Sequence, residues 1–149
     1  SLSLTVTCDD LPEDDNRIEM HPTQVDRHGL PVPRLIYRRG ENTRAMLRFG
    51  IDRAGEALRA AGAREIRVTE LSRNAGFHLM GTAHMGATDR DGVTGPEGRV
   101  HGVENLSIVD ASIFATAAAV NPTSTLQAIT LRAGAAMKAG LDAAEAAEA

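Results

Sequence analysis

Gly76-Phe77-His78-Leu79-Met80-Gly81-Thr82-Ala83-His84-Met85-Gly86 is a loop sequence, because glycine interrupts it at both ends and in the middle while His and Thr stud it. Downstream, Arg99-Val100-His101-Gly102-Val103-Glu104-Asn105 leads into Leu106-Ser107-Ile108-Val109, a short apolar run that reads as a strand closed by Asp110-Ala111-Ser112. A third run, Val120-Asn121-Pro122-Thr123, reads as a helix start, with Asn121 at the cap and Pro122 at the first helical position. That helix is expected over Pro122 to Lys138 with Gly140 as its stop, and the Ala/Glu-rich tail 141–149 either frays or prolongs it.

Upstream of these loops the pattern is more regular. Leu2 to Thr7, Arg17 to Met20, Pro33 to Arg38 and Glu65 to Leu71 read as strands, and His21 to Val32 as a loop punctuated by Pro22, Gly29 and Pro31. Between the third and fourth strands, Leu47, Ile51, Ala54, Leu58 and Ala61 recur at helical spacing. Asn42 or Thr43 can cap that helix and Gly62 can end it. The fold class expected is therefore α+β: an antiparallel sheet with a helix on one face, followed by one more strand and helix. The chain divides accordingly into sheet and helix (1–75), catalytic loops with the C-terminal strand and helix (76–140), and a tail (141–149).

Composition narrows the class of function. The chain has 149 residues, 42% hydrophobic and 24% charged, which suffices for a folded core built on aliphatics, since only three Phe, one Tyr and no Trp are present. A formal charge of −4, with arginines interleaved among acids, argues against a nucleic-acid surface. No apolar run approaches the length of a membrane span. The single cysteine, Cys8, rules out an internal disulfide. Compartment is not legible, with the cytoplasm as default. Ser1 is not an initiator methionine, so the chain reads as an excised piece of something longer.

Oxidising an alcohol requires a base that reaches the hydroxyl proton, for which imidazole is suited, and a second polar group that holds the same oxygen. In their order and spacing the three runs resemble the C-terminal part of the glucose–methanol–choline (GMC) oxidoreductases, flavoenzymes that take a hydride from a CH–OH carbon. The resemblance covers about Thr5 to Gly140 and includes, more loosely, Asp14-Asp15-Asn16-Arg17-Ile18 and Asp26 to Pro33. It implies that His78, which opens His78-Leu79-Met80-Gly81-Thr82, is the catalytic base, and that Asn121, eleven residues after Asp110, is its partner. It also implies that Asp110 and Ala111 contact FAD, chiefly through backbone, and that Asn121, Pro122 and Thr123 border the flavin. The activity implied is hydride transfer from an alcohol or sugar carbon to flavin N5. The last strand and helix would pack into the FAD-binding domain.

Nowhere does the chain contain Gly-x-Gly-x-x-Gly, the dinucleotide fingerprint. The FAD-binding domain is thus expected as a missing N-terminal partner, and FAD is not expected on this chain alone. Apolar surface left without that partner predicts pairing of two copies into a homodimer. An alternative function is a stand-alone binding module that has lost catalysis. Blander readings of single residues stay open: His78 as a core histidine, Asn121-Pro122-Thr123 as merely a well-made helix start, His84 as a structural or substrate-shaping group. No spacing supports a metal site; Asp89-Arg90-Asp91-Gly92 is a surface turn because Val93 occupies the next acidic position of a calcium loop. No serine sits in a hydrolase elbow.

Overall fold

The computed structural model describes residues 1–69 and 76–148, with the side chain of Glu148 outside the description. The class is α+β: a two-stranded antiparallel sheet and two long helices. The chain forms two compact units, Ser1–Phe77 and His78–Ala149.

In the first unit, β1 (Arg17–Val25) pairs with β2 (Pro31–Ile36). The sequence placed a loop from His21 to Val32, but β1 runs on to Val25 and β2 begins at Pro31. The reason is local. Register shifts between Met20 and Val25, where His21 Nδ1 accepts from the Thr23 and Gln24 amides at 3.3 and 3.0 Å. Pro22 has no N–H to give, so the imidazole stands in for a strand partner and the ladder resumes beyond the bulge. The reversal is an Asx turn: Asp26 Oδ1 accepts from the His28 and Leu30 amides, and Gly29 has φ +80°. Ile18 pairs with Leu35 and Met20 with Pro33, which puts these apolar side chains on one face, and that face is bare: Met20 is 70% and Leu35 72% exposed.

Helix α1 (Glu41–Ala60) follows. Its cap is Gly40 rather than Asn42 or Thr43, and no side chain bonds there. Thr43 has another use: it is buried and donates to Asp10 Oδ1 at 2.6 Å. The other Asp10 oxygen accepts from the Tyr37 hydroxyl, so one carboxylate ties the end of β2 to the first turn of α1. Asn16 holds the Arg38 backbone in both directions, at 3.0 and 2.7 Å. The expected C-terminus is found: Ala63 N–H reaches Leu58 O and Gly62 N–H reaches Arg59 O, with Gly62 at φ +88°. Leu47, Ile51, Ala54 and Leu58 are half-covered, while Ala61 is exposed. Val6 packs against Gly50, so the N-terminal segment lies along the helix.

Leu2 to Thr7 is not a strand: among the described residues it has no ladder partner. Residues 65–69 of the expected fourth strand also lack one, and the rest of that strand, with residues 72–75, lies outside the described residues.

In the second unit, α2 (Thr123–Glu148) starts one residue later than expected and does not stop at Gly140; the tail prolongs it. Leu126, Ile129, Thr130, Ala133, Ala136 and Met137 form its covered stripe, with Ala133 fully buried. No helix among the described residues is long and apolar enough to cross a membrane.

Little is buried overall. Among the described residues, the buried hydrophobic ones are Ile113, Phe114 and Ala133. The chain exposes 11803 Å², against about 7,300 Å² for a folded monomer of its mass, or about 8,800 Å² for two separate bodies of half that mass. Large apolar side chains contribute to the exposed surface, among them Leu35, Leu79 and Leu131.

Candidate functional site

The candidate residues lie in the second unit, on loops held by short backbone ladders. Gly81, Ala83 and Met85 donate their amides to the carbonyls of Ala111, Ser112 and Ile113, at 3.3, 2.9 and 2.8 Å. Residues 111–113 are a single 3₁₀ turn rather than plain loop. On the other side of 81–86, Val93 N–H reaches His84 O and Gly86 N–H reaches Thr94 O, both at 2.8 Å. His101 N–H then reaches Val93 O at 3.0 Å, and Val100 N–H and Ile108 N–H pair with Leu106 O and Gly98 O. Five short segments therefore lie side by side, in the order 111–113, 81–86, 93–95, 98–101 and 106–108.

This corrects one expectation. Leu106 to Val109 is not a strand but contributes one isolated bridge, Arg99↔Ser107. Turns at Gly98 (φ +76°) and Gly102 (φ +75°) reverse the chain so soon that pairing stops after a rung or two.

Thr94 sits at the middle of the array, bridged to Met85 on one side and Val100 on the other, and is fully buried. Its hydroxyl has no hydrogen-bond partner among the described residues. His84 Nε2 donates to Asp91 O at 3.0 Å and His101 Nε2 to Gly86 O at 3.2 Å. Both rings are therefore occupied with carbonyls, which favours the structural reading of His84. The Asp89-Arg90-Asp91-Gly92 stretch is a turn, with Asp91 Oδ2 accepting from the Thr88 hydroxyl at 2.7 Å. Helix α2 is joined to the array by Thr130 Oγ1, which donates to Val109 O at 3.2 Å, and by an Arg132–Glu97 ion pair at 3.0 Å.

His78 and Asn121 are both exposed. His78 has φ 58°, and Ala119, two residues before Asn121, has φ 55°; these are the two non-glycine residues with positive φ among the described residues. Each costs about 1 kcal/mol or more and persists only where the surroundings impose it. Pro122 is buried, and its carbonyl accepts the Leu126 amide at 2.8 Å. Pro122 therefore stands at the position before the helix that the sequence assigned to Asn121, and it offers no side-chain acceptor to the first amides. The amides of Thr123, Ser124 and Thr125 precede the first helical bond and form the positive end of α2.

Asp110 Oδ1 accepts the Ser112 amide at 2.7 Å. Hydrogen bonding to Ser112, through its side chain and then its backbone, holds the Asp110 carboxyl below the usual carboxylate range. The Asp-x-Ser spacing that makes this turn was available in the sequence. The buried Thr94 and the positive φ at Ala119 had no such signal. A surface recess of about 380 Å³, lined by Gly95, Arg99 to Val103 and Glu104, contains none of the candidate residues.

Chemistry elsewhere is limited. Burial, then Asp10 and Asp9, push the Cys8 thiol up, which disfavours its thiolate. Partial burial and the bond to Asp10 push the Tyr37 hydroxyl up to about 12.

The family model described as GMC oxidoreductase matches residues 12–130. The chain is 43% identical over 127 residues to 2-methyl-1,2-propanediol dehydrogenase of Mycolicibacterium austroafricanum, covering 85% of this chain and 23% of that protein. It is 37% identical over 139 residues to 6'''-hydroxyparomomycin C oxidase of Streptomyces lividus, covering 90% and 24%. It is 31% identical over 123 residues to the fructose dehydrogenase large subunit of Gluconobacter japonicus, covering 83% and 22%. The chain thus spans about a quarter of the length of the curated relatives it matches.

Proposed function

The chain belongs to the GMC oxidoreductase family, and on that premise we propose that it forms the substrate-facing part of an FAD-dependent oxidoreductase acting on the CH–OH group of an alcohol or sugar. Residues 1–75 are the substrate-domain sheet and helix; 76–140 carry the catalytic loops and return to the FAD-binding domain. His78 accepts the hydroxyl proton. Asn121 holds the same oxygen through its amide N–H without adding a competing base. Bound flavin supplies the hydride acceptor.

Whether these residues fit a flavin is a question of donors. Asp110, Ala111, Asn121, Pro122 and Thr123 lie on two loops, and the second ends in the three helix-start amides of α2. Such an end suits the negative charge that a flavin gains on reduction. It accommodates one edge of the cofactor only, since the chain has no dinucleotide fingerprint. An N-terminal FAD-binding domain holds the remainder, and by itself the chain neither retains FAD nor turns over.

The observation that carries this reading is the family match across the loops that bear His78 and Asn121, with both side chains exposed. Exposed apolar side chains on segment 106–109 and on α2 support it: Leu106, Val109, Leu131 and Leu141 are the surface a missing domain covers. Without that domain, two copies pair through this surface, and light scattering after size exclusion then gives twice the mass of one chain.

The test is reconstitution with a separately expressed FAD-binding domain. Recovered flavin absorbance and dye reduction with alcohols support the proposal, and His78→Asn then lowers kcat by roughly 10²- to 10⁴-fold. Unchanged turnover in His78→Asn sinks the role of His78. A mixture that never binds flavin favours a stand-alone binding module.

A further inference from the structure

The carboxylate of Asp110 faces its own turn. Its Oδ1 accepts the Ser112 amide, and the backbone it fixes presents three consecutive carbonyls, Ala111, Ser112 and Ile113, to the amides of Gly81, Ala83 and Met85. Ile113 is fully buried and Phe114 nearly so, which anchors the far end of that turn. Among the described residues on the N-terminal side of segment 81–86 there is nothing comparable: Phe77, His78 and Leu79 are exposed. The left-handed backbone at His78 therefore has its nearest fixed point at Gly81, the first rung.

We propose that Asp110 is a positioning residue for His78: its side chain locks the 3₁₀ turn whose three carbonyls hold the segment that presents the imidazole. The inference rests on His78 being the proton acceptor, but it concerns how that ring is held. It also separates two roles at one position. Any contact of Asp110 with a cofactor runs through backbone, while the carboxylate works inward. Asparagine retains an oxygen acceptor at the same place, so Asp110→Asn preserves the device and Asp110→Ala removes it.

Amide hydrogen exchange on the chain itself tests this. In Asp110→Ala, Ala83 and Met85 exchange about tenfold faster than in the unsubstituted chain, and the His78 backbone shifts move toward random-coil values. Asp110→Asn restores both, and the α1 amide of Leu58, in the other unit, is unchanged in every variant. Unaltered protection in Asp110→Ala, or equal loss in Asp110→Asn, overturns the proposal. Should Asp110→Ala fail to fold, the unsubstituted chain decides: Ser112, Ala83 and Met85 must open with one protection factor, and unequal factors overturn it. Because no activity is read, a failed role for His78 in catalysis leaves this result untouched, and the reverse holds.

Discussion

Between Arg17 and Ile36 the backbone pairs over a recognisable ladder, yet Ile18, Met20 and Leu35 stand in solvent. Between Gly81 and Ile113 the ladders run to three rungs at most and form no regular strand, yet Thr94, Ile113 and Phe114 are buried. Regular secondary structure and burial have come apart. The hairpin has its hydrogen bonds and lacks a partner for its face, whereas the loop array has the core and lacks regularity. On the proposed reading, which puts His78 and Asn121 on loops, the irregular region is the one that must hold its shape to about an ångström. The hairpin needs only to present a surface.

The contrast breaks most visibly at Ile113. Ile113→Ala should lower the stability of the second unit by about 3 kcal/mol in urea denaturation, because a fully enclosed side chain is removed. A loss below about 1 kcal/mol would mean that the array is not a core at all. Gly98→Ala comes next, at about 2 kcal/mol. Its φ is +76°, and an added Cβ would meet the carbonyl oxygen of Ile108, the residue whose amide donates to Gly98 O. Thr94→Val has the opposite sign. It replaces a buried hydroxyl that has no partner among the described residues, so stability should rise by about 1 kcal/mol.

Tyr37 provides a pH test confined to the first unit. Its hydroxyl is raised to about 12 in the fold, against about 10 unfolded. The folded chain therefore holds the proton longer: the stability linked to it is intact below about pH 10 and is lost as pH rises from there toward 12. Tyr37→Phe should flatten that part of an alkaline denaturation profile. The smallest effect belongs to the hairpin face. Leu35→Ala should change stability by no more than about 0.5 kcal/mol, while weakening whatever association covers the face, as light scattering would report.

What the sequence made legible follows the range of the interactions. Helix α1 and its Gly62 terminus were readable, because Leu47 to Leu58 repeat at 3.6 residues and the cap lies within one turn. The turn at Asp26 to Gly29 was signalled by its own residues. The bulge was not: it depends on the His21 ring replacing a strand partner, which no periodicity encodes. Leu106 to Val109 looked like a strand because four apolar-biased residues satisfy that pattern, but a strand needs a neighbour of matching length, and the Gly98 and Gly102 turns deny it one. For the site, the runs around His78 and Asn121 identified the family, while the rungs from Gly81, Ala83 and Met85 to residues 111–113 join segments that the sequence holds well apart.

The excess of exposed surface has a thermodynamic signature. Unfolding raises heat capacity in proportion to the area newly wetted, about 12–15 cal/mol/K per residue for ordinary globular proteins. A chain that already shows 11803 Å² has less left to reveal. Its calorimetric endotherm should be broad and shallow and its denaturant slope low for 149 residues. On the proposed reading, adding the FAD-binding domain should sharpen unfolding into one cooperative step.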